Sequence, residues 1–202
     1  MILMWGSPHL WAMLIGQDMA AIDKTRAAER MVVSAITMAE RGEDPLAVHV
    51  VAASALNVLR DLIEIAGDDY VEHVLKVGAF TIASAQVNGE PVTLPTNPAM
   101  DAVVEKVVGG IKAGEVTQAS DLIITLTTLE RRQLLGYIVK PYNFLKHADR
   151  DPLATLDESD IDPKGSIAHA LTALTMVSPG KSLPDEIKPY LERHNLLAPA
   201  QS

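Results

Sequence analysis

Apolar residues recur at helical spacing in the first third of the chain. One stretch covers residues 18–41 and carries most of its charges on other faces; a second covers residues 45–66. The apolar stripe of the second stretch consists of His49, Ala53, Leu56, Leu59 and Ile63. Gly42 ends the first helix, Asp44 can cap the second and Pro45 fits its first position. Because the connection is short, the pattern predicts an antiparallel helical hairpin.

Further helices are predicted along the rest of the chain. The polar stretches 86–98 and 149–164 are predicted as connections. Residues 122–127 are β-branched enough to form a strand, but the apolar pattern continues to Ile138 and favours one helix over 121–138. Pro141 breaks or kinks it before a short helix that ends at His147. The remaining predicted helices cover residues 70–84, 98–111, 167–177 and 184–197, the last interrupted by Pro189.

Composition supports an all-α fold. Apolar residues make up 48% of the chain and aromatic residues only 4%, so a core of small aliphatic side chains is expected, as in close-packed helices. We therefore predict an all-α helical bundle built on the long antiparallel hairpin, with additional C-terminal helices. Residues 18–150 form its core and residues 151–202 a C-terminal helical extension packed on the same domain. Residues 1–17 are predicted to be an N-terminal extension or docking arm, with a targeting segment as the alternative.

Charge and residue usage narrow the classes of function. The 202 residues carry a formal net charge of −9, which argues against stable DNA binding. Cysteine is absent, so disulfides and thiolate metal sites are excluded, and a cytoplasmic location is expected. No apolar run reaches the roughly 18–20 residues of a membrane span, and no membrane association is expected. Signatures of nucleotide-binding loops, serine hydrolases and zinc or di-iron enzymes are missing, so neither cofactor nor metal is predicted.

Residues 140–151 contain the strongest candidate chemistry. On a helix, Asn143 and His147 are four residues apart and face the same way, with Lys140 and Lys146 nearby. An amide that orients a phosphate, an imidazole that transfers a proton and an ammonium that neutralises charge could together cleave a phosphodiester. The structural alternative is that Asn143 caps a short helix while His147 hydrogen-bonds to a neighbouring one.

Residues 143–147 also carry a family resemblance. They match the Asn and His of the signature of the HEPN superfamily of helical-bundle proteins, which is an Arg, usually followed by Asn, then three residues and a His. The hairpin over residues 25–62 resembles that family's first two helices. Residues 143–152, Asn-Phe-Leu-Lys-His-Ala-Asp-Arg-Asp-Pro, are similar to a segment of uncharacterised bacterial proteins. The resemblance covers about half of the chain.

The resemblance implies a dimeric, metal-independent ribonuclease or an inactive relative related to RNA processing or stress responses. His147, Asn143 and Lys146 would be catalytic, and Tyr142, Lys140 and Arg150 would contact an RNA or nucleotide ligand. The chain departs from the signature at Tyr142, where the family has the arginine that works with the histidine at a dimer interface. That departure favours the inactive form, unless Lys146, Arg131 or Arg132 supplies the charge. The alternative is a non-enzymatic protein-interaction or small-ligand-binding bundle.

Single polar residues outside this segment are given structural interpretations. His49 lies on an apolar stripe, so a hydrogen-bonded core histidine is expected rather than a ligand. Glu29 shares the apolar face of the first helix and would need a cationic partner if buried, with His49, Arg60 and Lys146 as candidates. Asp149 and Asp151 are expected at a solvated helix end, with cation binding as the alternative. His73, His169 and His194 are assigned no role.

Overall fold

An antiparallel helical hairpin opens the part of the chain that can be described. The computed structural model describes residues 21–91, 98–147, 149 and 151–194. Helix α1 spans Lys24–Glu40 and α2 spans Pro45–Ile65. Asp23 accepts a hydrogen bond from the Arg26 amide at the start of α1, and Asp44 accepts from two amides in the first turn of α2. The hairpin prediction is confirmed, although α1 begins six residues later than expected.

Helix α2 lies at the centre of the main core. It packs on α1 and, most extensively, on α7, which spans Pro163–Val177. Every member of the apolar stripe predicted from the sequence is buried. Ala28, Ala35, Ala52, Ala170 and Ala173 have no exposed surface, so the three helices approach closely. Thus α7, from the predicted C-terminal extension, supplies part of the bundle core.

A second, smaller core joins α3, Tyr70–Asn88, to α4, Pro98–Ala113. It buries Ala79, Ile82, Ala83, Val104, Val107 and Leu122. Helix α4 continues through Gly109 and Gly110 to Ala113. A Cβ atom on Gly110 would lie 2.8 Å from the Val116 side chain, so this glycine allows the following loop to pack closely.

The prediction of one helix over residues 121–138 is wrong at its beginning. Residues 122–127 are extended, and α5 spans Thr128–Ile138. Thr127 accepts a hydrogen bond from the Glu130 amide, while the Glu130 carboxylate accepts from the Thr127 amide at 2.7 Å. This reciprocal cap fixes the helix start, and the β-branched residues before it lie outside the helix.

Short elements complete the fold. Helix α6 spans Lys140–Lys146 directly after α5, and two 3₁₀ turns lie at Ala119–Asp121 and Glu158–Asp160. The last helix, α8, spans Lys188–Arg193, four residues later than predicted, with Pro189 in its first turn rather than as an interruption. All regular elements among the described residues are helical, which confirms the all-α bundle. The predicted arm, residues 1–17, lies outside the described residues.

The prediction that no apolar run is long enough for a membrane span is wrong for α2, which by length and composition could cross a membrane, with a mean hydropathy of 1.6 over its most apolar window. Its central position accounts for that character, because α1 and α7 both pack against it. The same apolar pattern is expected of a core helix in a soluble bundle.

Candidate functional site

A polar cavity of about 420 Å³ lies beside α2, between the α5–α6 junction and the beginning of α7. His49 lines it from α2, Lys140 from α6 and Asp160 from the second 3₁₀ turn. Ser166 and His169 line it from α7. Its size falls within the range of about 300–1,000 Å³ that small-molecule sites occupy. Three separate chain segments, residue 49, residues 137–140 and residues 159–169, therefore meet at one polar cavity.

His49 is held rigidly in the wall of this cavity. Its ring is 2% exposed, and its Nδ1 lies 2.8 Å from Ser166 Oγ and 3.2 Å from the Asp162 carbonyl oxygen. Burial lowers the pKa of His49 below its ordinary value of 6.5, although the Asp162 carbonyl and charge act in the opposite direction. The prediction of a hydrogen-bonded core histidine is confirmed, and the ring is uncharged at neutral pH.

The Ser166 and His49 pair is arranged for packing rather than for nucleophilic attack. Ser166 is 3% exposed, and its hydroxyl donates to the Asp162 carbonyl at 2.8 Å within the first turn of α7. A nucleophilic serine must present its oxygen to a substrate and give its proton to the histidine. Here the hydroxyl is buried and contacts both the Asp162 carbonyl and the His49 ring, so the pair joins α2 to α7.

His169 forms a second fixed imidazole at the cavity, and no sequence pattern indicated its position there. The Tyr70 hydroxyl lies 2.7 Å from His169 Nδ1 and donates to the His169 carbonyl at 3.2 Å. Burial lowers the pKa of His169 and raises the pKa of the Tyr70 phenol. Tyr70 begins α3 and His169 lies 99 positions later, so no local spacing could have paired them.

Charged and aromatic groups lie on the solvent side of the cavity. Lys140 Nζ donates to the Asp160 carboxylate at 2.6 Å, and Lys140 is 54% exposed. Asp162 caps α7 by accepting from the Gly165 amide at 2.8 Å. Tyr137 also lines the cavity and is 78% exposed. Within the described part of the chain, no three His, Asp or Glu side chains are grouped so that they could hold a metal ion.

The candidates of the 140–151 segment lie on α6 and its C-terminal end. Asn143 is inside the helix and does not cap it, and its carbonyl accepts from the His147 amide at 3.1 Å, so the two residues occupy successive turns. Lys146 Nζ lies 5.6 Å from the centre of the Tyr142 ring. His147 is half-buried, and Lys140 turns instead to Asp160. Arg150 lies outside the described residues, and all six proposed roles stay predictions.

Two sequence-based charge assignments differ from the observed contacts. Glu29 forms an ion pair with Arg26, one helical turn away, rather than with His49, Arg60 or Lys146. Arg131 forms an ion pair with Asp69 and lies 3.8 Å from Glu72. Arg131, Asp69 and Glu72 line a larger cleft of about 670 Å³, in which the charge of Arg131 is already neutralised by these carboxylates. We therefore consider the His49 and His169 cavity the better candidate site.

Comparison with known proteins does not assign this chain to a family. The chain matches no protein-family profile, no curated protein and no solved structure. The fold and the cavity define the class of the protein as an all-α helical bundle with a polar cavity beside α2. Its function must be argued from that cavity and from α6.

Proposed function

We propose that this protein is a non-enzymatic, small-ligand-binding helical bundle whose ligand occupies the His49 and His169 cavity. One observation supports the proposal most strongly: two imidazoles, each fixed by a hydrogen bond at Nδ1, line the same polar cavity. Fixed polar groups in a concave site give a ligand orientation without an entropic cost of ordering the protein. We also propose that it acts in the cytoplasm, without a bound cofactor.

Rigidity distinguishes this cavity from an incidental surface cleft. Ser166 and Asp162 hold His49, and Tyr70 holds His169. Tyr70 and Ser166 are buried, and the Asp162 contact comes from its backbone carbonyl at the start of α7. A ligand would therefore meet a preformed surface rather than mobile side chains.

A cavity-filling variant tests this function directly. The full chain is screened by ligand-observed NMR against a library of small polar molecules, and each binder is retested with Ser159→Trp. Ser159 lines the cavity and is exposed, so the indole should fill the entrance without disturbing the core. Ser182→Trp is the matched control because Ser182 is an exposed serine in a different cleft.

The expected result is a set of binders lost in Ser159→Trp and retained in Ser182→Trp. Binders that are indifferent to both substitutions, or a library without any binder, would remove the small-ligand function.

Metal-independent RNA cleavage by a dimer of this chain is a second candidate, favoured by the contact between Tyr142 and Lys146. The family signature has an arginine where this chain has Tyr142. The Tyr142 ring attracts the Lys146 ammonium, which therefore lies near the site of that arginine. A cation would then stand beside Asn143 and His147 in successive turns of α6. This candidate also requires two chains to bring their His147 residues to one cleft.

Cleavage of a mixed single-stranded RNA pool tests the second candidate, with light scattering to measure the oligomeric state. A dimer whose cleavage is lost in His147→Ala and reduced in Tyr142→Ala would support it, with His73→Ala as the control on another helix. Absence of cleavage by the unmodified protein would exclude it and leave the ligand-binding function unaffected.

A further inference from the structure

The charges around the cavity indicate which ligands it can accept. Asp160 and Asp162 carry two carboxylates, and Lys140 provides one ammonium. Because burial lowers the pKa of both His49 and His169, the two imidazoles add no positive charge at neutral pH. The lining therefore has one negative charge in excess, in a protein whose net charge is also negative. Such a field repels phosphates and carboxylates and attracts cations.

His49 closes the inner wall of the cavity and offers no free hydrogen-bonding atom to a ligand. It is almost fully buried, with Nδ1 2.8 Å from Ser166 Oγ and 3.2 Å from the Asp162 carbonyl oxygen, and with Nε2 3.4 Å from Ser166 Oγ. The groups that can bind a ligand are therefore those on the exposed side of the cavity, the carboxylates and Tyr137.

Tyr137 supplies an aromatic surface at the same cavity. It is the most exposed aromatic side chain among the described residues, and the core does not account for its position. An exposed aromatic ring beside carboxylates is the combination with which proteins bind organic ammonium and guanidinium groups, through cation–π attraction and charge-assisted hydrogen bonds.

Building on the proposed ligand-binding function, we infer that the cavity binds a small organic cation with N–H donors, a primary amine or a guanidinium compound. Asp160 accepts N–H hydrogen bonds from the cationic group, and Tyr137 packs against it. The exposed Lys140 side chain can turn to solvent and leave the Asp160 carboxylate to the ligand. Breaking such an exposed ion pair costs little free energy. Anionic ligands, including nucleotides, are disfavoured by the same charges.

Calorimetric titration of the full chain with four matched probes tests this inference. The probes are 1,4-diaminobutane and agmatine as cations, succinate as an anion of similar length and 1,4-butanediol as a neutral compound. We expect the two cations to bind at least about tenfold more tightly than succinate or the diol, the size of one charge-assisted hydrogen bond.

Three substitutions connect that preference to the cavity. Asp160→Asn should weaken cation binding about tenfold and, because Lys140 is freed, should improve succinate binding. Tyr137→Ala should weaken the cations about threefold with no change for succinate. Asp185→Asn removes the same charge at an exposed ion pair outside the cavity and should leave all four affinities unchanged. Circular dichroism confirms that each variant is folded.

Each other outcome has a defined meaning. Tighter binding of succinate than of the diamines would overturn the inference and leave the ligand-binding function standing. Equal affinity for diol and diamine would overturn it in the same way, since charge would not matter. An effect of Asp185→Asn equal to that of Asp160→Asn would show attraction to net charge rather than to this cavity, and would also overturn it. Binding of no probe, together with a library screen without binders, would remove the proposed function itself.

Discussion

The His49 and His169 cavity and the α6 segment show two different relations between sequence and chemistry. In α6, Asn143 and His147 lie in successive turns of one helix, and their side chains are half-buried. In the cavity, His49 and Ser166 are 117 positions apart and both almost fully buried. The pKa values of the cavity histidines are lowered by their surroundings. Local spacing identified the first group, and only packing assembled the second.

This difference shows where environment changes chemistry. A buried imidazole loses the water that would stabilise its charged form, so burial favours its neutral form. Perturbed groups concentrate at functional sites, so the cavity has the stronger physical argument, although α6 has the more recognisable motif. Four predictions test that contrast, from the largest expected effect to the smallest.

Removing the His49 ring should have the largest effect on stability. His49→Ala leaves a hole between α2 and α7 and removes the partner of Ser166, so we expect unfolding to become easier by about 2–5 kcal/mol. His147→Ala, on α6, should change stability by less than about 0.5 kcal/mol. Urea denaturation of both variants measures the difference. Equal effects would mean that the two regions are not distinguished by packing.

Tyr70→Phe should have the next largest effect. The substitution keeps the ring but removes the hydroxyl that lies 2.7 Å from His169 Nδ1, leaving a buried polar nitrogen without its partner. Such a loss costs about 1–3 kcal/mol. Tyr137→Phe is the matched control, since that hydroxyl belongs to an exposed ring. The same denaturation measurement should show no effect for the control.

Mild acid should destabilise the protein through the cavity histidines. Because the pKa of each is lowered in the folded state, the unfolded chain binds protons more readily below the ordinary pKa of 6.5. Stability is therefore complete above about pH 6.5 and is lost as the pH falls below it, by up to about 1.4 kcal/mol per pH unit for each histidine. Half-buried His73, whose pKa burial also lowers, contributes in the same direction.

Urea denaturation at about pH 7.5 and about pH 5.5 measures the contribution of the histidines to stability, in a range where most carboxylates stay ionised. His169→Gln should reduce the difference between the two conditions. An unchanged difference in that variant would show that His169 is not the group that titrates.

The ion pair between Lys140 and Asp160 should have the smallest effect on stability. Lys140 is more than half exposed, so solvent screens the pair, and Lys140→Met should cost less than about 1 kcal/mol. Added salt should make the variant and the unmodified protein equal in stability. A larger, salt-independent loss would indicate that the pair belongs to the rigid part of the cavity.

The sequence predicted the hairpin correctly because its signals act between residues close together in the chain. The stop at Gly42, the cap at Asp44 and the periodic stripe through Leu56 defined the hairpin, because each acts within a few residues. The prediction failed at residues 122–127, where apolar periodicity suggested helix. There the reciprocal cap of Thr127 and Glu130 and the burial of Leu122 in the second core produced an extended segment instead.

By itself, the sequence determined the all-α class, the hairpin and the role of His49 as a core residue. A periodic apolar stripe predicts which face of a helix is buried, whichever helix packs against it. Only the tertiary structure decided which polar groups meet. The contacts of His49 with Ser166 and of Tyr70 with His169 join segments about a hundred residues apart. No local spacing encodes such pairs, since they arise only when α7 packs against α2 and against the start of α3, where the desolvated groups must find hydrogen-bonding partners.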